Sequence, residues 1–455
     1  MPKQENKNMQ PTDTGALRVS LHRKIANAFV KKITSGQWKP GRKLPPERQI
    51  ARQFSASRAT VRTALQDLEL GGWIKRPVRH SAVVAIRHDV QPNLRIACSN
   101  SRLLDLFRCL DEKEFLLPRV HIQLIDMRQP WAIRHLLTPT DGVDLLICEL
   151  KYVNCLQGYE EHFESIPQEM LCDVPFGLYA SLVKDDHFTA VPLGISPMVL
   201  YYNKAMFRQQ EVQILQSPWN WDQLAKVAQQ FKGKGRYGFQ ICPSFEHLSA
   251  LLASFGGELY QVDGTVAARK SAQFEPTLRF LYDLLHDSKV VPPLIQTDRV
   301  NLFTKKRCAM AVDGFNRIHE YRDVLGGDLG VAALPGVRAE ATITQGFALL
   351  ALKGTENLQL VKDTLRSLLS VDTQRMLVRK GASLPVRRDL LEVDSLLADG
   401  VPEQEAGLLI QQARCYEVVN IPATMAYHNE VENVFWELWL GLDTIDDICR
   451  RFTLI

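Results

Sequence analysis

The chain has 455 residues, 45% of them hydrophobic, with 55 Lys and Arg against 51 Asp and Glu and a formal net charge of +4. That length is enough for about three domains, and the apolar content excludes a disordered or fibrous chain. The charge is unevenly spread: residues 16–87 hold 16 Lys and Arg and three acids, a net of +13, while 88–455 carries −9. A basic head on an acidic body is the split expected when one end faces phosphate and the other does not.

Residues 1–15 are polar and are expected to be a disordered tail. They lack the apolar core of a secretory signal, and the longest apolar runs, such as Phe347 to Leu352, are too short to cross a bilayer. A cytoplasmic protein with no membrane contact is the expectation. Nine cysteines are scattered without a Cys-x-x-Cys pair, so the expectation is reduced thiols and no metal site.

In the head, Leu21, Ile25, Ala28, Phe29 and Ile33 recur at helical spacing, and Pro40-Gly41 makes a turn. A second helix is expected near Pro45-Pro46-Glu47, with Ile50, Ala51 and Phe54 inward. Ser57 is a good N-cap for a third. There Val61, Ala64, Leu65 and Leu68 form one stripe, and Arg58 and Arg62 project together from the other side beside Thr60. A short helix with that face suits the major groove. Gly71-Gly72 ends it, and 73–76 can pair with 82–86 as a hairpin whose tip carries Arg79 and His80. These residues, Leu44 to Ala51 and then Ser57 to Leu65, resemble the GntR winged helix-turn-helix. The resemblance implies DNA contacts from Arg48, Ser57, Arg58, Thr60 and Arg62, with Arg79 and His80 at the wing. For Arg48 an internal salt bridge is the other reading. The sequence departs from the family at Pro46, where a small hydroxyl residue is usual, and at Arg79-His80-Ser81, where glycines are usual.

A polar linker, 88–93, leads into the body. Strand patterns at 94–98, 120–125 and 143–147 alternate with helical ones around Leu103 to Leu110 and Trp131 to Leu137, which implies a parallel α/β sheet. Ligands of such sheets bind beyond the strands' carboxyl ends, near Ser99, Asn100, Cys148 and Glu149. Cys98 and Cys148 line such a pocket or fill the core; both readings stand.

An ordered series follows: Ala190 to Ser196, Val199 to Lys204, Pro218 to Leu224, Leu251 to Leu259, Cys308 to Phe315, Gly330 to Gly336, Gly346 to Leu349 and Ser383 to Arg387. It resembles the extracellular solute-binding proteins of sugar ABC transporters over about 94–395. The resemblance implies a two-lobed, periplasmic-binding-protein-like (type II) α/β domain over 94–455, with 94–200 and 342–455 in the first lobe and 201–341 in the second. At family cleft positions it implies Trp131, Tyr201, Phe245, Glu246, Phe315, Asn316 and Phe347, with Asp144, Glu149 and Arg387 as polar partners. Aromatic faces would cover sugar C–H groups, and planar polar groups would take hydroxyls. Core packing is the other reading for Tyr201 and Phe347. Trp219 and Trp221 are expected to staple a helix start. The apolar stripe Val431, Val434, Phe435, Leu438, Trp439 and Leu442 completes the first lobe or forms a dimer contact.

A DNA reader joined to a solute-binding shell implies a ligand-controlled transcription regulator. It would be a homodimer on a pseudo-palindromic operator, sensing a carbohydrate or related solute, with no cofactor and no enzymatic activity. Two alternatives remain open: an aminotransferase-like body holding pyridoxal phosphate on a lysine, and a cytoplasmic solute-binding component.

Overall fold

The turn signals and apolar stripes of the head converge on one small core. The computed structural model describes residues 25–26, 28–29, 32–33, 37–39, 41–70, 74–75, 82–84, 94–99, 120–127, 129, 133, 136–137, 142–153, 156, 159–166, 183–184, 187–188, 190–213, 219–257, 272–292, 302–336, 342–414, 416–418 and 425–454. These fall into two units, one before Asn93 and one from Leu94 onward.

In the first unit Ile25, Phe29 and Ile33 are helical and buried. Helix α1 (Glu47–Gln53) starts behind Pro46 and carries Glu47 in its first turn, where an acid suits the helix dipole. Ser55 takes a left-handed φ of 49° and turns the chain sharply. Helix α2 (Arg58–Leu70) follows, and the Thr60 N–H donates to Ser57 Oγ at 3.1 Å, so Ser57 is the N-cap. The stripe Val61, Ala64, Leu65 and Leu68 packs on Ile25, Phe29, Ile50 and Ile74. Strands β1 (Ile74–Lys75) and β2 (Val83–Val84) pair antiparallel, with Ile74 opposite Val84. Lys43 bridges to Val83 on the other side, adding a third short partner.

The second unit is built on one nine-stranded sheet. Strands β3 (Leu94–Cys98), β4 (Val120–Leu124) and β5 (Leu145–Glu149) run parallel with β3 in the middle. A separate two-stranded ribbon joins β6 (Val183–Lys184) and β7 (His187–Phe188). Strand β8 (Val191–Asn203) is thirteen residues long and buried except at Tyr202, so its unbroken apolar run reflects cover on both faces. Helices α3 (Lys204–Gln209) and α4 (Trp221–Gln230) follow, then β9 (Tyr237–Gln240), α5 (Phe245–Ser254) and α6 (Phe274–Tyr282). Next come β10 (Cys308–Gly314), α7 (Ile318–Leu325), β11 (Leu329–Ala332) and β12 (Thr342–Ala351). The chain closes with α8 (Leu358–Leu368), α9 (Val371–Arg379), α10 (Val393–Ala398), α11 (Glu403–Arg414), β13 (Tyr416–Val418), α12 (Met425–Leu440) and α13 (Ile445–Leu454).

Strand β8 joins the two lobes. From Val191 to Pro197 it pairs antiparallel with β12, which pairs in turn with β5. From Met198 to Asn203 it pairs with β10 and β11 instead. The partners change at 197/198, a few residues before the boundary expected at 200/201. Trp221 and Trp219 serve structure, as expected. Trp221 opens α4 beside an Asn220/Gln223 capping box and donates to Ser254 Oγ at 2.7 Å, and Trp219 donates to the Ala333 carbonyl at 3.3 Å.

The C-terminal stripe is buried at Val431, Val434, Phe435, Leu438 and Trp439, but Leu442 is 69% exposed. The expectation that it completes the first lobe needs correction, because its contacts run to second-lobe elements. His286 Nε2 donates to the Leu438 carbonyl at 2.8 Å, and Phe274 meets Phe452 edge-on at 5.1 Å. Upstream, Arg322 pairs with Glu405 of α11. The amphipathic pattern alone could not say which lobe its apolar side would meet.

Candidate functional site

The first candidate surface is the outer side of α1 and α2. Capping by Ser57 sets the start of α2, and the buried stripe fixes its rotation, so Arg58 and Arg62 face outward and are exposed. Thr60 is half-buried, and its hydroxyl lies 2.8 Å from Ser57 Oγ. Arg62 Nε donates to Glu47 Oε2 at 3.0 Å, tying the two helices together. An internal salt bridge was one reading for Arg48; the ion pair falls to Arg62 instead. Arg48 and Arg58 are exposed, with no ion-pair partner among the described residues. Arg79 and His80 lie outside the described residues.

The second candidate site gathers at the carboxyl ends of β3 and β5 and at the place where β8 changes partners. The Glu149 N–H donates to Ser99 Oγ at 3.2 Å, so Ser99 caps the gap between β3 and β5. Glu149 sits opposite Phe347 on β12, and Phe347 sits opposite Gly194 on β8. Both Glu149 and Phe347 are half-buried. Two residues further on, Lys151 ion-pairs with Glu149 at 3.5 Å, pairs with Glu246 in the first turn of α5, and lies 4.9 Å from the Tyr152 ring centre. Burial opposes the charge on Glu246, yet the Lys151 ammonium, with hydrogen bonds from Lys151 and Ser244, holds its carboxyl down to about 2. Burial likewise opposes the charge on Lys151, but Glu246 and Glu149 hold its ammonium well above the usual lysine range. His247 braces this turn: Nδ1 shares a 2.8 Å hydrogen bond with Ser244, and Nε2 donates to the Val312 carbonyl at 3.2 Å.

The other side of this site forms where β10 ends. Tyr201 donates to the Gly314 carbonyl at 3.0 Å, and Asp313 accepts from Tyr321 at 2.8 Å, which fixes the corner. The Asn316 N–H donates to Ser196 Oγ at 3.0 Å. A methyl group on Gly314 would meet Ser196 Oγ at 2.7 Å, Asn316 Oδ1 at 3.0 Å and Gln345 Oε1 at 3.1 Å, so three polar side chains crowd one bare Cα. Asn316 Oδ1 is buried and has no hydrogen-bond partner among the described residues. A buried acceptor left unpaired costs about 1–3 kcal/mol, and a ligand donor would recover it.

Several expected contacts stand elsewhere. Tyr201, Phe245 and Phe315 are each at most 1% exposed and present no ring face; they fill the core beneath the site. Arg387 commits its guanidinium to Asp389 and to the Leu369 carbonyl. Asp144 lies at the opposite, amino end of β5, where it accepts from the Arg95 N–H at 2.7 Å and from Thr355. Cys98 and Cys148 are wholly buried, and burial pushes the Cys98 thiol up to about 12. Trp131 and Asn100 lie outside the described residues. Lys151, Ser196, Gln345 and Ser244 were not singled out in the sequence. Lys151 follows two residues after the expected strand-end Glu149, and that spacing was the available signal.

A family profile described as "Bacterial extracellular solute-binding protein" matches residues 165–401, just over half of the chain. The chain belongs to that family. A second profile, "Bacterial regulatory proteins, gntR family", matches residues 21–84, so this solute-binding protein carries a GntR DNA-binding head. The head is similar to the arabinose metabolism transcriptional repressor of Geobacillus stearothermophilus, at 57% identity over 42 residues, 9% of this chain and 12% of the relative. The body is similar to a putative binding protein of Brucella abortus, at 25% identity over 47% of this chain and 54% of the relative. The chain thus spans little more than half the length of that relative and about an eighth of the other. Among solved structures, an ABC substrate-binding protein of Listeria monocytogenes in complex with cycloalternan has a TM-score of 0.65 at 15% identity, over 79% of this chain and 96% of the other. Maltose-bound T. maritima MalE3 has 0.65 at 18%, over 79% and 98%. The two-lobed solute-binding fold is therefore that of the body, in place of the aminotransferase alternative.

Proposed function

We propose that this solute-binding protein is a ligand-responsive transcription regulator, not an enzyme and not a transport component. It would act in the cytoplasm as a homodimer on a pseudo-palindromic operator. Each α2 enters a major groove, with Arg58 and Arg62 toward base edges, Arg48 toward phosphate and Thr60 beside them. The observation that carries this reading is the joining of a GntR head to a solute-binding body in one chain.

We read the solute as a carbohydrate or polyol. Proteins of similar fold are described with cycloalternan, α-D-tagatose, maltose and D-mannitol, all hydroxyl-rich. The unpaired Asn316 Oδ1, with Ser196 and Gln345 beside it, suits a hydroxyl donor. Half-buried Phe347 offers an apolar edge nearby, and Glu149 supplies an acceptor. Solute makes its full contacts only when both lobes close on it, so binding shifts the closure equilibrium. Coupling to the head of about 1–3 kcal/mol would change operator affinity roughly five- to 150-fold.

The test is a titration of operator duplex with the full chain at fixed ionic strength, with and without a saturating sugar chosen by a thermal-shift panel. A displaced curve is expected. An unmoved curve with a sugar that demonstrably stabilises the protein would end the regulator reading.

A further inference from the structure

One ammonium group bridges the two lobes. Lys151 stands in the 3-10 turn directly after β5, in the first lobe. Glu246 stands in the first turn of α5, which the His247–Val312 hydrogen bond and the Trp221–Ser254 hydrogen bond anchor to the second lobe. The two residues are 95 positions apart in sequence and are joined by a hydrogen-bonded ion pair. Glu149 takes the same ammonium from the first-lobe side at 3.5 Å. Only 14% of the Lys151 side chain and 13% of the Glu246 side chain reach solvent, so salt screens this pair far less than a surface one. Of the two carboxylates on this ammonium, Glu149 stands in the first lobe and Glu246 in the second.

We propose that Lys151 and Glu246 form an electrostatic latch that draws the lobes together without solute, so that solute acts on a closure equilibrium already biased toward the shut form. The inference rests on the solute-clamp reading of the body and adds how that clamp is set. Opening the lobes returns both charges to water together. Removing Lys151 takes the cation from Glu246 in the shut form, and removing Glu246 leaves Lys151 only its first-lobe pair with Glu149; either change favours the open form. A solute that needs the shut form binds more weakly as that form becomes less populated. The latch therefore tunes apparent solute affinity without touching Asn316, Ser196 or Gln345.

The test uses the full chain without added solute, in three variants: Lys151→Met, Glu246→Gln, and the exchanged pair Lys151→Glu with Glu246→Lys. Amide hydrogen exchange is read at 150–153 and 244–248, with 191–201 as the fold control, and the radius of gyration is read by solution scattering. Each single variant should exchange about tenfold faster at both segments, expand, and leave the control protected. The exchanged pair should return both readings only part of the way to those of the parent, because the carboxylate placed at 151 then faces Glu149. The latch is overturned if both single variants match the parent, if exchange quickens with no expansion, or if the exchanged pair is no more closed than the single variants. Should one variant lose protection at 191–201, the other single variant decides. None of these readings involves DNA, so failure of the regulator reading would show separately, as an operator curve indifferent to solute.

Discussion

Replacing Arg58 and Arg62 by alanine, one at a time, should separate two arginines that look equivalent in sequence. Arg58 is exposed and has no ion-pair partner among the described residues, so Arg58→Ala should leave the stability of the head within about 0.5 kcal/mol of the parent. Operator affinity should fall by about 1–3 kcal/mol, roughly five- to 150-fold, if the guanidinium reads a base. Arg62 has a second task, since it pairs with Glu47 at 3.0 Å. Those side chains are 63% and 33% exposed, so solvent screening limits the pair to about 0–1 kcal/mol. Arg62→Ala should therefore lose operator affinity and also a fraction of a kcal/mol of stability, because its ion pair with Glu47 is lost. Glu47→Gln is the informative counterpart: it frees Arg62 from its acid and should tighten binding to any duplex at low salt. Fluorescence anisotropy across a salt series, with an operator selected from random sequence, reads affinity and the number of phosphates neutralised together. Arg58→Ala binding within twofold of the parent, in a folded head, would refute the placement of this face on DNA.

Gly314→Ala should abolish solute binding and also cost the body about 1–3 kcal/mol of stability, because the new methyl would crowd Ser196, Asn316 and Gln345 even though the glycine's φ of −75° is open to alanine; calorimetry with the stabilising sugar and a urea melt check the two effects. Asp144→Ala should destabilise the body by about 2–4 kcal/mol in urea unfolding, since it leaves the Arg95 N–H and the Thr355 hydroxyl without their acceptor. Glu246 has its carboxyl depressed from 4.5 to about 2, so its stabilising effect is complete above 4.5 and is lost as pH falls toward 2. The stability gap between the parent and Glu246→Gln should accordingly close across that acid window. Alkylation of the native chain at pH 8 should spare Cys98 and Cys308, whose thiols burial pushes up to about 12.

What could be read in the sequence was whatever short spacing decides. The Ser57 cap, the Val61–Leu68 stripe and the parallel β3–β5 core follow from local chemistry and periodicity. The carboxyl-end rule also led to Ser99 and Glu149 through the strand pattern alone. Aromatic residues behaved differently. Tyr201, Phe245 and Phe315 occupy the right neighbourhood, but a ring in a cleft wall and a ring beneath it leave the same mark in a sequence. The Lys151–Glu246 pair could not be read at all, since its partners are 95 residues apart and meet only through the fold. The Arg62–Glu47 pair was missed for a simpler reason: Glu47 stands at the start of α1, and helix crossing rather than sequence spacing chooses which arginine it meets.

Strand β8 gives each lobe part of its sheet, and Pro197, which has no N–H to donate, stands where the neighbours change. A missing rung at that position gives the ribbon a place to flex without breaking either ladder. Shared ownership also binds the two halves into one thermodynamic fate. Severing the backbone there would leave each fragment with an orphaned edge, so the body should melt in a single step and be inherited as an indivisible cassette.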